Sequence, residues 1–228
     1  APELKHPTLG VTVTELARRL NDCDFALVPD RPQLISIAGV IGVGKTTLAQ
    51  KLTEPLGAQP ILEPYDKNPF LPAVYAGNKD LALASQLFFF TSRLKQLSSD
   101  ELQKGRVYVT DYVFEKELIY ARRQLEPRQL ALYEQIYERL AGSVIQPVLT
   151  IYLTDTPQNC LTRIHKRNRP YEQKIKLDFL AELAADYDKL FAQWRTSPLL
   201  RIDKADFDCT RAADVENLLR QVKAYVVT

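Results

Sequence analysis

The chain has 228 residues, 46% of them hydrophobic, enough for one α/β domain with a full core and a small lid. Its 30 basic and 28 acidic residues leave a net charge of +2, which argues against nucleic acid or an anionic membrane as an obligatory partner. No apolar run approaches the roughly 18 residues of a membrane span. No signal peptide is legible in "APELKHPTLG", and Cys23, Cys160 and Cys209 have no paired spacing, so the expected setting is a reducing cytoplasm.

Taken in chain order, residues 1–32 read as an extension with a short amphipathic helix in "VTVTELARRL", and residues 33–228 read as one domain. Strand one is expected at 33–38. The glycine-rich turn "GVIGVGKTT" follows, then a helix to about 56. "AQPILEP" reads as strand two. The loop "YDKNPFLPAVYAGNKD" leads to a long helix at about 80–99. "GRVYVTDY" reads as strand three, followed by helices at about 113–124 and 127–141. "QPVLTIYLT" reads as strand four. Thr156-Pro157 then starts a helix with a threonine cap and a proline in the first turn. After the basic segment "RIHKRNRPYEQK" come a helix to about 194, strand five in "SPLLRID", and a last helix ending near Val226. Strands that alternate with helices make an α/β parallel sheet of five strands, covered by helices on both faces.

The turn after strand one carries the most specific chemistry. Gly39, Gly42 and Gly44 let the backbone wrap a phosphate with its N–H groups, and the helix beyond adds its positive dipole end. Lys45 supplies a cation for β- and γ-phosphates, Thr46 a hydroxyl for Mg²⁺, and Thr47 completes the phosphate-binding set. The spacing is that of a nucleoside-triphosphate loop, in the strand–loop–helix setting it requires. In a parallel sheet, ligands sit beyond the carboxyl ends of the strands. Glu63 ends strand two and can accept a proton from an attacking hydroxyl. Asp111 ends strand three and can hold Mg²⁺, cap the next helix, or do both. Arg163 and Arg167 share a helix face and Arg169 follows on a loop. Together they form a short arginine-rich lid, at about 163–173, able to close over a triphosphate.

These segments resemble the deoxynucleoside kinases, which phosphorylate the 5′-hydroxyl of deoxynucleosides with a nucleoside triphosphate such as ATP. The likeness runs from about residue 33 to the end. It rests on "GVIGVGKTTL", "LEPYDKNPFL", "VYAGNKDLALASQLFFFTSRL", "RIHKRNRPYEQKIKLDFL" and "IDKADFD", with the Asn-Pro-Phe-Leu tail closest to the bacterial deoxyadenosine and deoxyguanosine kinase branch. The resemblance implies a P-loop kinase fold with ATP and Mg²⁺ as cofactors. It implies Glu63 as the base, and Tyr75 and Glu172 at the sugar 3′-hydroxyl. It puts Gln86 on the nucleobase, Arg93 near its far edge and Tyr120 stacked on it. Arg163, Arg167 and Arg169 become the lid arginines, and Asp206 and Phe207 lie near the donor's base. A homodimer through the helices at about 80–99 and 127–141 is also implied.

The chain departs from the family after strand three. The family's acid–Arg–Ser triplet is replaced in "TDYVFEKE", and no arginine stands beside the catalytic carboxylate. Two registers are open. A gapless match sets Thr110 at the acidic position and Asp111 at the arginine. A shift by one sets Asp111 as the acid and Tyr112 at the arginine. Lys116 and Arg122 are the candidates for the missing cation. Two other readings compete: a nucleoside monophosphate kinase of the thymidylate kinase kind, and a non-catalytic nucleotide-binding protein of the same fold. Tyr75 and Glu172 favour an uncharged sugar hydroxyl over an acceptor phosphate, and a binding relic has no need of Glu63.

Overall fold

Residues 29–227 are described by the structure, a computed structural model. The helix expected in "VTVTELARRL" lies outside them. Five parallel strands form one sheet in the order β2-β3-β1-β4-β5, as β1 (Gln33–Ala38), β2 (Gln59–Ile61), β3 (Val107–Thr110), β4 (Leu149–Thr154) and β5 (Leu199–Asp203). Ile35 of β1 pairs with Val109 of β3 on one side and Leu149 of β4 on the other.

All six residues of β1 are buried, as a central strand covered on both faces must be. Successive side chains point to opposite faces. Ile35 and Ile37 therefore join one core with helix α1 (Lys45–Thr53), while Leu34 joins a second core with Phe90 and Tyr133. Gln33, the polar residue that opens the strand, exchanges two hydrogen bonds with the backbone of Val227, at 2.9 and 2.7 Å.

Between β2 and β3 lie α2 (Leu71–Tyr75) and α3 (Ala82–Gln96). The short α2 falls in a stretch expected to be loop; the periodicity of five residues is too brief to read. After β3 come α4 (Lys116–Gln124) and α5 (Pro127–Leu140), the latter opened by a capping box between Glu126 and Gln129. α6 (Pro157–Arg167) starts with Thr156 accepting from the Asn159 amide at 3.2 Å, as the Thr-Pro pair predicts, and ends at Asn168 in left-handed geometry. α7 (Leu177–Ala192) and α8 (Ala212–Val222) complete the chain. The last helix is shorter than expected, with Lys223 capping it ahead of a turn. No described helix is long and apolar enough to cross a membrane.

One expectation is corrected. The helix after β3 begins at Lys116 rather than 113, with Glu115 at its cap position. Asp111 does not cap it, because its carboxylate is engaged elsewhere.

Candidate active site

The carboxyl ends of β1, β2 and β3 open onto a cavity of about 250 Å³. Its floor is the glycine-rich loop. Gly42 and Gly44 stand at φ 83° and 106°. A Cβ on Gly42 would lie 2.5 Å from the Cys160 carbonyl oxygen, so only glycine lets the loop rest on α6. A Cβ on Gly39 would meet the Leu153 carbonyl oxygen at the same distance. Lys45 heads α1 and donates to the Val40 carbonyl oxygen at 2.9 Å. Burial, and then the nearby Lys116 cation, push its amine down to about 7.

Asp111 is fully buried beneath this floor. Its carboxylate accepts from the Thr46 hydroxyl at 2.6 Å, the Glu63 amide at 2.9 Å and the Tyr65 hydroxyl at 3.2 Å. The two residues expected to serve Mg²⁺ are thus in contact, and their hard oxygens suit that ion. No described cluster of three or more His, Cys, Asp or Glu side chains could hold a metal alone.

Glu63 sits at the cavity wall in a buried ionic set. One of its oxygens, Oε1, takes both the Arg93 guanidinium and, at 2.6 Å, the Lys116 amine. Arg93 also pairs with Glu117, which receives the Tyr133 hydroxyl. Of the two candidates for the missing cation, Lys116 is the one that reaches the Glu63 carboxylate, and, against the expectation from the sequence, an arginine, Arg93, stands beside it as well. Arg122 does not reach it: it is an exposed side chain paired with Glu134 at 3.1 Å. Burial and then the Arg93 charge hold the Lys116 amine well below its usual range. Tyr112 lies under the set, 5.5 Å from Arg93 and 5.7 Å from Lys116 by its ring, with its hydroxyl on Gln96. The Tyr112 ring thus backs both cations.

Two helices line the cavity wall around Glu63. Gln86 and Arg93 come from α3; Lys116, Tyr120 and Gln124 come from α4, spaced four apart on one face. The helices run so that Arg93 and Lys116 meet at Glu63, while Gln86 and Gln124 meet at the other end, at 2.9 Å. Arg93 lines the cavity, but its two terminal nitrogens are taken by carboxylates rather than turned to a ligand. Tyr75 and Glu172 line the same cavity. Burial, and then the neighbouring Glu172 charge, push the Tyr75 phenol up.

The lid carries its three arginines to the cavity edge. Arg163 donates to the Gly42 carbonyl oxygen at 3.2 Å and pairs with Asp155. Arg167 holds Glu172 at 2.7 Å, and Arg169 reaches Glu172 at 3.5 Å while covering the Tyr65 ring at 4.8 Å. Asp206 and Phe207 are not among the lining residues. Asp206 is exposed on the loop after β5, and Phe207 is a buried core side chain under Lys204. Tyr65, Phe89, Gln124 and Tyr171 line the cavity without having been singled out from the sequence. For Gln124 a signal existed: it continues the four-residue spacing of Lys116 and Tyr120.

A triphosphate loop, an acid against its threonine, and a carboxylate across the cavity define a P-loop phosphotransferase. Comparison with known proteins narrows this. The sequence profile of the deoxynucleoside kinase family matches residues 35–227, and the chain belongs to that family. It is 36% identical over 202 residues to a deoxyguanosine kinase of Bacillus subtilis, an alignment covering 85% of this chain and 97% of that one. It is 29% identical over 196 residues to a deoxyadenosine kinase of Dictyostelium discoideum, covering 83% and 78%. A deoxyadenosine kinase from M. mycoides, solved with the products dCMP and dCDP, shares the fold at a TM-score of 0.74 and 22% identity, covering 84% of this chain and 99% of that one.

Proposed function

We propose that the chain transfers the γ-phosphoryl group of ATP to the 5′-hydroxyl of a deoxynucleoside, with Thr46 and Asp111 as the residues that would hold Mg²⁺. The observation that carries this reading is the setting of Glu63. Two cations hold Oε1, no side chain or amide among the described residues donates to Oε2, and the residue lines the cavity shared with the phosphate loop. A carboxylate so held has one oxygen left to accept the proton of an incoming hydroxyl.

The phosphates lie on the backbone N–H groups around Gly42 and Gly44 and at the start of α1. Their negative charge raises the proton affinity of Lys45, so the amine is charged when the triphosphate is bound. Mg²⁺, when bound, neutralises charge on the phosphate oxygens. Arg163, Arg167 and Arg169 close on the transferring group. Tyr75 and Glu172 hold the 3′-hydroxyl, Gln86 reads the base edge, and Tyr120 offers it a flat face. A homodimer through α3 and α5 fits the exposure of Leu132 and Leu140 on α5.

The monophosphate-kinase reading is weaker, because both cations on the acceptor side, Arg93 and Lys116, are already committed to carboxylates. The test is a coupled ADP assay over a panel of deoxynucleosides and their monophosphates. Turnover with deoxynucleosides is expected. Turnover confined to monophosphates would refute the proposal.

A further inference from the structure

The far end of the cavity is closed by two amides. Gln86 of α3 is almost fully buried, and its Nε2 donates to Oε1 of Gln124 on α4 at 2.9 Å. Both side chains line the cavity. Neither amide has another side-chain or backbone hydrogen bond among the described residues.

That isolation has a chemical meaning. A carboxamide has a carbonyl and an NH₂ of nearly equal shape. If both amides turn by half a turn, every heavy atom keeps a place, and the bond between them survives with donor and acceptor exchanged. In one arrangement Gln86 meets Gln124 through its NH₂; in the other, through its carbonyl. The order in which Gln86 shows acceptor and donor to a base is reversed between them. A 6-amino purine presents a donor beside the N1 acceptor, and a 6-oxo purine presents an acceptor beside the N1 donor. Each base matches one arrangement. A neighbour that only accepted or only donated would fix Gln86 in a single sense; a second amide does not.

We propose that Gln124 is a specificity-determining positioning residue, whose concerted rotation with Gln86 lets the site take both 6-amino and 6-oxo purine deoxynucleosides. The inference rests on the reading above in which Gln86 faces the nucleobase. Gln124 acts through Gln86 and does not touch the reacting atoms.

The test is the ratio of kcat/KM for deoxyadenosine to that for deoxyguanosine, in the full chain. The wild type is expected to show a ratio within about tenfold of unity. Gln124→Glu leaves an acceptor only and Gln124→Lys donors only. They should move the ratio in opposite directions, each by about tenfold, the worth of one hydrogen bond. A simple packing defect would lower both substrates together. A wild-type preference beyond about 10³ for one base, or variants that shift the ratio the same way or not at all, overturns the proposal. Gln86→Ala separates the two levels. A raised acceptor KM with an unchanged ATP KM supports the underlying reading, whatever Gln124 does. An unchanged acceptor KM removes that reading and the proposal with it.

Discussion

Lys116→Met removes one charge from a closed set of four. Glu63 and Glu117 supply two negative charges, Arg93 and Lys116 two positive ones, and all four side chains are buried. The substitution keeps the length and apolar stem of the side chain but leaves two carboxylates on one guanidinium. Breaking a buried pair by removing one partner costs about 3–5 kcal/mol. Here Arg93 stays on Glu63 and the cavity admits water, so the lower end, about 3 kcal/mol of stability, is expected. Glu63 also loses the 2.6 Å partner that fixes its direction. Losing one preorganised electrostatic group costs about 10²–10³ in kcat. Because a nearby cation favours the ionised carboxylate, its loss should move the acid limb of the kcat profile to higher pH. Lys116→Arg keeps the charge and should recover most of the turnover with the wild-type acid limb. The assay is steady-state kinetics from about pH 5 to 9, with thermal unfolding in parallel. If Lys116→Met keeps kcat within about threefold and an unmoved acid limb, while Tm falls, the amine is only a structural ion and the reasoning fails.

Glu63→Gln keeps the shape but cannot take a proton, so kcat should fall by about 10² or more while ATP affinity changes little; a loss confined to acceptor KM would make Glu63 a binding residue. Asp111→Asn weakens the hold on Thr46 and on a bound cation, so turnover should fall and partly return at raised Mg²⁺, read from a Mg²⁺ titration. A 2′,3′-dideoxynucleoside should lose about 10² in kcat/KM, and Tyr75→Phe should narrow that gap by harming the true substrate more. Burial, and then the Asp155 charge, push the Cys160 thiol up to about 11, so its alkylation at pH 7.5 should wait for unfolding, measured by mass spectrometry with and without denaturant.

The sheet was legible because the central strands are short apolar runs between turn residues and the longer helices repeat at their own period; all five strands fall within the stretches expected. The phosphate loop was legible because its chemistry lies in nine consecutive residues. What was hidden depends on two helices meeting. Arg93 reaches Glu63 across 30 positions and Glu117 across 24. No local pattern says that an arginine expected at a base edge is bound to two carboxylates instead. Lys116 and Arg122 were equivalent as letters; α4 turns the first into the cavity and leaves the second on the surface. Asp111 had two roles on paper, and the three-residue delay of α4 removed the capping one. Phe207, placed near the donor's base by likeness alone, packs in the core beside Lys204, and no local pattern distinguishes a core aromatic from one at a base.

The carboxylate of Asp111 is also a joint between the halves of the reaction. It grips Thr46 on the donor side and the Glu63 backbone and Tyr65 on the acceptor side. On the proposed reading, a magnesium triphosphate would draw on Thr46 and Asp111, the same carboxylate that holds the Glu63 amide and Tyr65. Linkage is reciprocal, so whatever factor the donor exerts on acceptor affinity through this carboxylate, the acceptor exerts on the donor. Dissociation constants measured for each alone will not multiply to give that of the ternary complex.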